Sequence, residues 1–287
     1  MLSISVALCT FNGARFLESQ LRSLTTQTRL PTELVVCDDA SQDTTWSILE
    51  AFAKHAPFSV RLVRNASNMG YVKNFEQAIS LCRSSLVMLC DQDDVWHPSK
   101  LERVHEIFWG DSSVGIVLHG YECIDAEGEP FHTVPDFHGP RRVPTHALGA
   151  ELAQHSLEAF VTPRHKAWCG CMTAFRQEFV DLLVPIFPGK GHDDWIQKLL
   201  APLTETRFIP TPLIEYRIHP NNANNHEAQQ GGARLRLKKL RNRWLNIFRG
   251  HSKRHFYQQI LLRIASSNRP VRYPRLLQYY KRFTRLL

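Results

Sequence analysis

The sequence predicts an α/β protein with a mainly parallel sheet, and three observations carry that expectation. Over the first 120 residues, short apolar runs alternate with stretches of helical period, the pattern of successive βα units. The chain has 287 residues, 43% hydrophobic and 22% charged, ordinary for a folded domain with or without an appendage. Three of the apolar runs end in hydroxyl, amide and carboxylate side chains. Polar chemistry gathered at strand ends belongs to a sheet with a ligand rim.

Taken in order, the expected strands are 3–9, 33–37, 59–63, 85–90 and 114–118; the first, Ser3 to Leu8, alternates with period two. Between them Leu17, Leu21 and Leu24 form one helical stripe, and Trp46, Leu49 and Ala53 another. Leu101, Val104 and Phe108 form a third, with Pro98 near the first turn where proline is accepted. Residues 120–166 are rich in Gly, Pro and His, and read as a hairpin near Asp125–Gly128 followed by a long loop of the kind that often carries function. A strand is expected over 167–176 and a short helix over 193–201; a Pro-rich stretch then leads through 212–216 to Tyr216-Arg217-Ile218-His219. Asn-rich 221–225 and Gly231-Gly232 read as a linker. Leu237, Leu240, Trp244 and Phe248, and then Leu276, Tyr280, Phe283 and Leu287, form two further apolar faces ringed by Arg and Lys. The expected division is a catalytic unit over 1–228 and a basic amphipathic helical extension over 229–287.

Charge is divided as unevenly as the periodicity. The formal net charge is +8, yet no Asp or Glu follows Glu227 while 16 Lys or Arg do; positions 1–227 hold 19 basic against 27 acidic residues. An acidic body with a basic tail points to an acidic partner, either an anionic membrane surface or nucleic acid. The tail has no zinc, helix-turn-helix or RNA-binding signature, so no specific nucleic-acid partner is expected; membrane contact or packing on the body remain the two readings. No apolar run approaches the roughly 18 residues of a membrane span, and the N-terminus does not read as a signal peptide. Seven cysteines, an odd number without C-x-x-C pairs, read as reduced thiols of a cytoplasmic protein, with Cys169 and Cys171 given packing roles only.

Strand one ends in Cys9-Thr10-Phe11-Asn12-Gly13, strand two in Cys37-Asp38-Asp39-Ala40-Ser41, and strand four in Cys90-Asp91-Gln92-Asp93-Asp94. Three carboxylates within four residues repel unless a proton or a cation intervenes. Mg²⁺ and Mn²⁺ take oxygen ligands and bridge to phosphates; an acidic turn capping the next helix is the alternative. Asp38-Asp39 is weaker evidence, because Asp, Ser and Gln also make ordinary turns.

These segments, with Asn68-Met69-Gly70, Asn74 and Asp91-Gln92-Asp93-Asp94-Val95-Trp96, resemble the family 2 glycosyltransferases of the GT-A fold over roughly residues 1–220. The D-Q-D-D-x-W form is similar to the bacterial rhamnosyltransferase-like branch, which builds cell-surface polysaccharide. The resemblance implies that Thr10, Asn12, Asp38, Asp39, Asn68 and Asn74 line the pocket for the nucleotide, and that Asp91 and Asp93 are the outer acids of the D-x-D motif. Asp93 is then the more direct ligand of Mg²⁺ or Mn²⁺. It further implies a catalytic base at the start of a later helix, where Gly191-His192-Asp193-Asp194-Trp195 stands; Asp193 aligns best and Asp194 is the rival. Many relatives carry Glu where this chain has His192. Arg217 and His219 match a late motif near the pyrophosphate, with His219 a candidate third metal ligand or a structural histidine; His192, Trp96 and Trp195 are expected to pack.

The implied reaction is inverting transfer of a sugar, rhamnose among the candidates, from a UDP- or dTDP-linked donor to a hydroxyl of a glycan or lipid-linked acceptor. The protein would then work on the inner face of the cytoplasmic membrane. Two other classes fit the residues less well. A nucleotidyltransferase would carry a glycine-rich phosphate loop near its N-terminus, where Thr10–Gly13 has one glycine. A glycosyltransferase-like binding protein without activity would have no need of both Asp93 and Asp193.

Overall fold

The structure, a computed structural model, describes residues 2–130, 169–188, 190–222 and 253–286. The long loop expected beyond the hairpin, and the apolar face at Leu237–Phe248, lie outside the described residues. Strands β1 (Ile4–Thr10), β2 (Glu33–Asp38), β3 (Ser59–Arg64), β4 (Leu86–Cys90) and β6 (Val114–Ile124) match the expected runs, with β6 extending six residues further. Strand β5 (Val95–Trp96) was not foreseen. Strand β7 (Thr173–Arg176) follows a 3₁₀ turn at Gly170–Met172, and the Pro-rich stretch before Tyr216 lies within a long strand, β8 (Glu205–Arg217), that the sequence does not predict.

All these strands form one sheet in the order β3-β2-β1-β4-β7-β6-β8-β5. The β3-β2-β1-β4 half is parallel, β7 runs antiparallel to both β4 and β6, and β6 and β8 are parallel again. A parallel half must be covered on both faces, and the period-two alternation of the buried strands divides the core accordingly. Val6, Leu8, Leu34 and Val36 face one cluster, with Ala7, Cys9, Val35 and Cys37 facing the other. On the first face lie α1 (Ala14–Thr25), α2 (Thr45–Ala53) and α4 (Lys100–Gly110), each through its expected stripe; Leu17, Leu24, Leu49 and Leu101 are wholly buried. On the second lie α3 (Tyr71–Leu81), α5 (Val180–Leu183) and α6 (His192–Leu200).

Strand β8 tolerates two prolines because its register against β6 slips where they fall, at Gly120 opposite Pro212. Gly120 permits that approach: a side chain there would stand 2.5 Å from the Pro210 carbonyl oxygen.

The C-terminal residues 253–266 form helix α7 and Pro274–Leu286 form α8. Both close the second face. Phe256, Tyr257, Ile260, Leu276 and Tyr280 join Trp195, Ile196 and Leu199 of α6 in one cluster. Arg263 donates to the Leu182 and Val184 carbonyls at 3.1 and 2.9 Å, and the Tyr280 hydroxyl donates to the Lys198 carbonyl at 3.1 Å. Lys253, Arg254, Arg275, Lys281 and Arg282 stay exposed. Among the described residues no helix is long and apolar enough to cross a membrane, and the cysteines are free thiols.

Burial of the tail has a measurable consequence. Ile260→Ala should cost about 2–5 kcal/mol in urea unfolding, as a buried large-to-small change does, whereas Arg275→Ala, on the exposed side, should stay within about 0.5 kcal/mol. Equal small effects would show that the tail lies loosely on the domain.

Candidate active site

In this sheet the chain runs outward from β1 to β2 and β3, then returns to β4 on the other side of β1. Such a reversal opens a crevice beyond the carboxyl ends of the strands, between β1 and β4 here. Thr10, Asn12 and the acids from Asp91 to Asp94 stand at that crevice because they follow β1 and β4 directly.

On the β1–β2 side the polar residues organise one another. Asp38 is fully buried and accepts from Thr10 Oγ1 at 2.8 Å, Ser41 Oγ at 2.5 Å and Ser41 N at 3.0 Å. Asn12 takes the left-handed conformation (φ 48°), receives Gln42 N on its amide oxygen at 2.8 Å, and donates its own N–H to Ser41 Oγ at 2.9 Å. Asp39 is buried and holds the segment before α3: it accepts from Asn65 Nδ2 at 2.9 Å, Met69 N at 2.8 Å and Gly70 N at 2.8 Å. Asn74, buried on α3, accepts from Asn65 at 2.9 Å and donates to the Cys37 carbonyl at 2.7 Å. Asn68 is exposed and accepts from Gly70 N at 3.0 Å. Thr10, Asn12, Asp38, Asp39, Asn68 and Asn74 are thereby linked into one rim.

Across the crevice, Gln92 spans the gap by pairing both backbone groups of Phe11, at 2.8 and 3.0 Å. Asp93 meets His219: its Oδ2 lies 2.8 Å from His219 Nε2 and receives Asn222 Nδ2 at 3.2 Å. Arg217 is turned inward, its Nε on the Asp93 carbonyl at 2.9 Å and its Nη1 on the Asp125 carbonyl at 3.0 Å, so the expected hairpin turn serves as its anchor. Asp94 is fully buried; one oxygen accepts Arg217 N at 3.0 Å, and the other, Oδ2, has no nitrogen or oxygen donor among the described residues, with the Cys171 thiol beside the carboxyl. Asp91, Asp94 and the Cys171 thiol place ligand atoms within 4.8 Å of one another. Burial first, and the Asp93 charge second, push the Asp91 carboxyl up, and burial with the Asp93 and Asp91 charges pushes Asp94 up further.

Two residues near this cluster gave no sign in the sequence. Lys100, the first residue of α4, is fully buried, donates to the Cys171 carbonyl at 2.8 Å and lies 3.5 Å from the Trp96 ring centre. Burial lowers its amine, and the Asp94 and Asp91 charges oppose that. A lysine at a helix start reads as a solvated charge; only the packing makes it an internal cation. Cys171 had been read as packing alone, and it borders the acids.

Facing the cluster, Asp193 and Asp194 open α6. Asp194 is ion-paired with Lys198, one turn along. Asp193 is half-buried, without an ion pair among the described residues, and desolvation lifts its carboxyl to about 6. His192 is buried, stacked on Phe75 at 4.0 Å, and burial drops it to about 3; Trp195 and Trp96 are core residues, as expected.

The sheet thus reverses at an acid cluster, and a desolvated carboxylate opens the facing helix. The chain belongs to glycosyl transferase family 2, whose sequence model matches residues 5–181. It is 30% identical over 231 residues to an uncharacterized glycosyltransferase of Nostoc sp., covering 78% of this chain and 67% of the relative. Over 99 residues it is 29% identical to the dTDP-rhamnosyl transferase RfbG of Shigella flexneri, covering 33% of this chain and 34% of that one. Among solved structures it is similar to S. aureus TarS 1-349 in complex with UDP-GlcNAc (TM-score 0.62, 17% identity, 98% of this chain and 71% of that one). It is also similar to a mannosyltransferase of Pyrobaculum calidifontis in complex with GDP-Man and Mn²⁺ (TM-score 0.54, 19% identity, 98% and 74%). The protein is a glycosyltransferase with the GT-A fold.

The raised Asp193 carboxyl fixes a pH effect. Between its ordinary 3.8 and about 6 the folded chain binds a proton that the unfolded chain releases, so stability falls as pH rises through that window and the ionised group is a net cost above it. Asp193→Asn should therefore withstand more urea than the wild type at pH 8. The gain should vanish below pH about 4, where both states are protonated.

Proposed function

We propose that the chain is an inverting, metal-dependent glycosyltransferase that moves a sugar from a UDP- or dTDP-linked donor to a hydroxyl of a glycan or lipid-linked acceptor in bacterial cell-surface polysaccharide synthesis. The observation that carries this reading is the pairing of two unlike acidic stations across one crevice. One is the crowded Asp91–Asp94 cluster, whose buried Asp94 Oδ2 has no nitrogen or oxygen donor among the described residues. The other is Asp193, desolvated while Lys198 neutralises its neighbour Asp194.

Thr10, Asn12, Asp38, Asp39, Asn68 and Asn74 form the base and ribose side of the donor pocket. The donor set of Asp93, Asp91 and His219, oxygens with one imidazole, suits Mg²⁺ or Mn²⁺. A cation held there supplies positive charge to the departing diphosphate. Arg217 acts behind it, fixing the Asp93 backbone and adding its own charge. Asp193 is the base: its carboxylate takes the proton of the acceptor hydroxyl as that oxygen attacks the anomeric carbon. The bond from that carbon to the diphosphate oxygen breaks, and the electron pair leaves with the diphosphate. A carboxyl raised to about 6 is a stronger base than an ordinary aspartate and is still ionised at neutral pH.

The dTDP-rhamnosyl name of the Shigella relative favours a dTDP-linked donor, and rhamnose is the sugar this reading ranks first. The exposed Lys and Arg of α7 and α8 suit an anionic leaflet on the cytoplasmic side, each worth about 1 kcal/mol near the surface. Since most described apolar residues of these helices are in the core, with Leu262 an exposed exception, that attachment is chiefly electrostatic and peripheral.

Calorimetric titration with UDP and dTDP, each with and without Mn²⁺, tests the donor site. We expect metal-dependent binding of one nucleotide, abolished in Asp93→Ala. Asp193→Asn should bind that nucleotide normally while turnover falls about 10²–10⁴-fold, the usual worth of a general base. A folded protein that binds neither nucleotide would instead be a glycosyltransferase-like binding protein.

A further inference from the structure

We propose that Gly170 and His192 form a steric spacer that sets where the Asp193 carboxylate stands relative to the acid cluster, making both positioning residues for sugar transfer. The proposal rests on the reading of Asp193 as the base. Gly170 opens the 3₁₀ turn before β7, and a Cβ built on it would stand 2.3 Å from His192 Nε2. The imidazole has no room to retreat. It is 6% exposed, stacked on Phe75 at 4.0 Å with 25° between the planes, and met edge-on by Tyr71 at 6.0 Å. Among the described residues neither ring nitrogen has a hydrogen-bond partner, and the ring is held by the shape of its surroundings.

His192 is the first residue of α6 and Asp193 the second. A shift of the ring therefore moves the base. Gly191 makes the fit tighter still, since a Cβ there would lie 2.2 Å from Asp193 Oδ1. The other end of the Gly170–Met172 turn is fixed independently. Lys100 Nζ holds the Cys171 carbonyl at 2.8 Å, and the Cys171 thiol lies within 4.8 Å of the Asp91 and Asp94 oxygens. One short turn thus touches the acid cluster on one side and the base helix on the other. Its thickness sets their separation.

Misplacing a reacting group by about 1 Å costs on the order of 10²-fold in rate. The test follows nucleoside diphosphate released from UDP-GlcNAc and from dTDP-rhamnose with Mn²⁺, alongside calorimetric affinity for UDP and dTDP. Gly170→Ala should lose about 10–100-fold in kcat, with nucleotide affinity within about twofold of wild type. Removing the ring in Gly170→Ala/His192→Ser should return about tenfold of that loss, whereas a glycine needed only for the turn would gain nothing from the second change. His192→Ser alone, which keeps the turn intact, should lower kcat without weakening nucleotide binding; this variant decides the matter if Gly170→Ala does not fold. Unchanged kcat in Gly170→Ala, or a double variant no better than the single one, overturns the proposal alone. Wild-type turnover in Asp193→Asn overturns the assignment of the base and the proposal with it.

Discussion

Mutual repulsion among Asp91, Asp93 and Asp94 is the constraint around which the rim is arranged. Carboxylates this close, at the buried end of a parallel strand, stay together only if each is answered by a donor or a cation. Asp93 is answered by His219 and Asn222, Asp94 by the Arg217 backbone N–H, and the whole cluster by the field of Lys100. Those partners come from α4, the end of β8 and the segment after it. The far half of the sheet is therefore tied to the acids at the end of β4, and a cation at the cluster would relieve the charge that remains.

The opposite side of the crevice solves a different problem with the same chemistry. Asp38 and Asp39 are buried acids without an acid neighbour of the D-x-D kind, and each is satisfied largely by hydroxyls, amides and backbone N–H groups. Charge-assisted bonds of this sort are stronger than neutral ones. They let Asp39 hold Met69 and Gly70 in place, where Gly70 adopts φ 83°. A rim fixed by its own hydrogen bonds meets a ligand with little left to organise, which lowers the ordering cost of binding.

Charge and packing are separated along the C-terminal helices. Phe256, Tyr257, Ile260, Leu276 and Tyr280 complete the core behind α6, and Lys253, Arg254, Arg275, Lys281 and Arg282 face outward, while Arg263 turns in to the Leu182 and Val184 carbonyls. The helix bearing Asp193 is thus supported from behind by Phe256, which meets its Trp195, and by Tyr280, which donates to its Lys198 carbonyl, all three rings nearly or fully buried. Rigid support of this kind is what keeps a catalytic side chain in register with its partners.

By itself the sequence determined the alternation of strands and helices, the stripes of α1, α2 and α4, the three polar strand ends and the charge division at Glu227. All of these are local in the chain, written in period, composition and spacing. The acid cluster was also legible, because it lies in consecutive residues at a strand end, whereas the Asp193-Asp194 pair was singled out only by the family resemblance. The two-residue β5 and helix α3 were not read, the first being too short for a period to show. Packing alone decided that Lys100 is an internal cation, that Arg217 points inward, that Lys198 pairs with Asp194 and, among the described residues, no cation pairs with Asp193, and that Gly170 meets His192. Each of those depends on which residues distant in sequence share a desolvated space. Burial, which turns an ordinary charge into a shifted one, is a property of the assembled fold and of no segment within it.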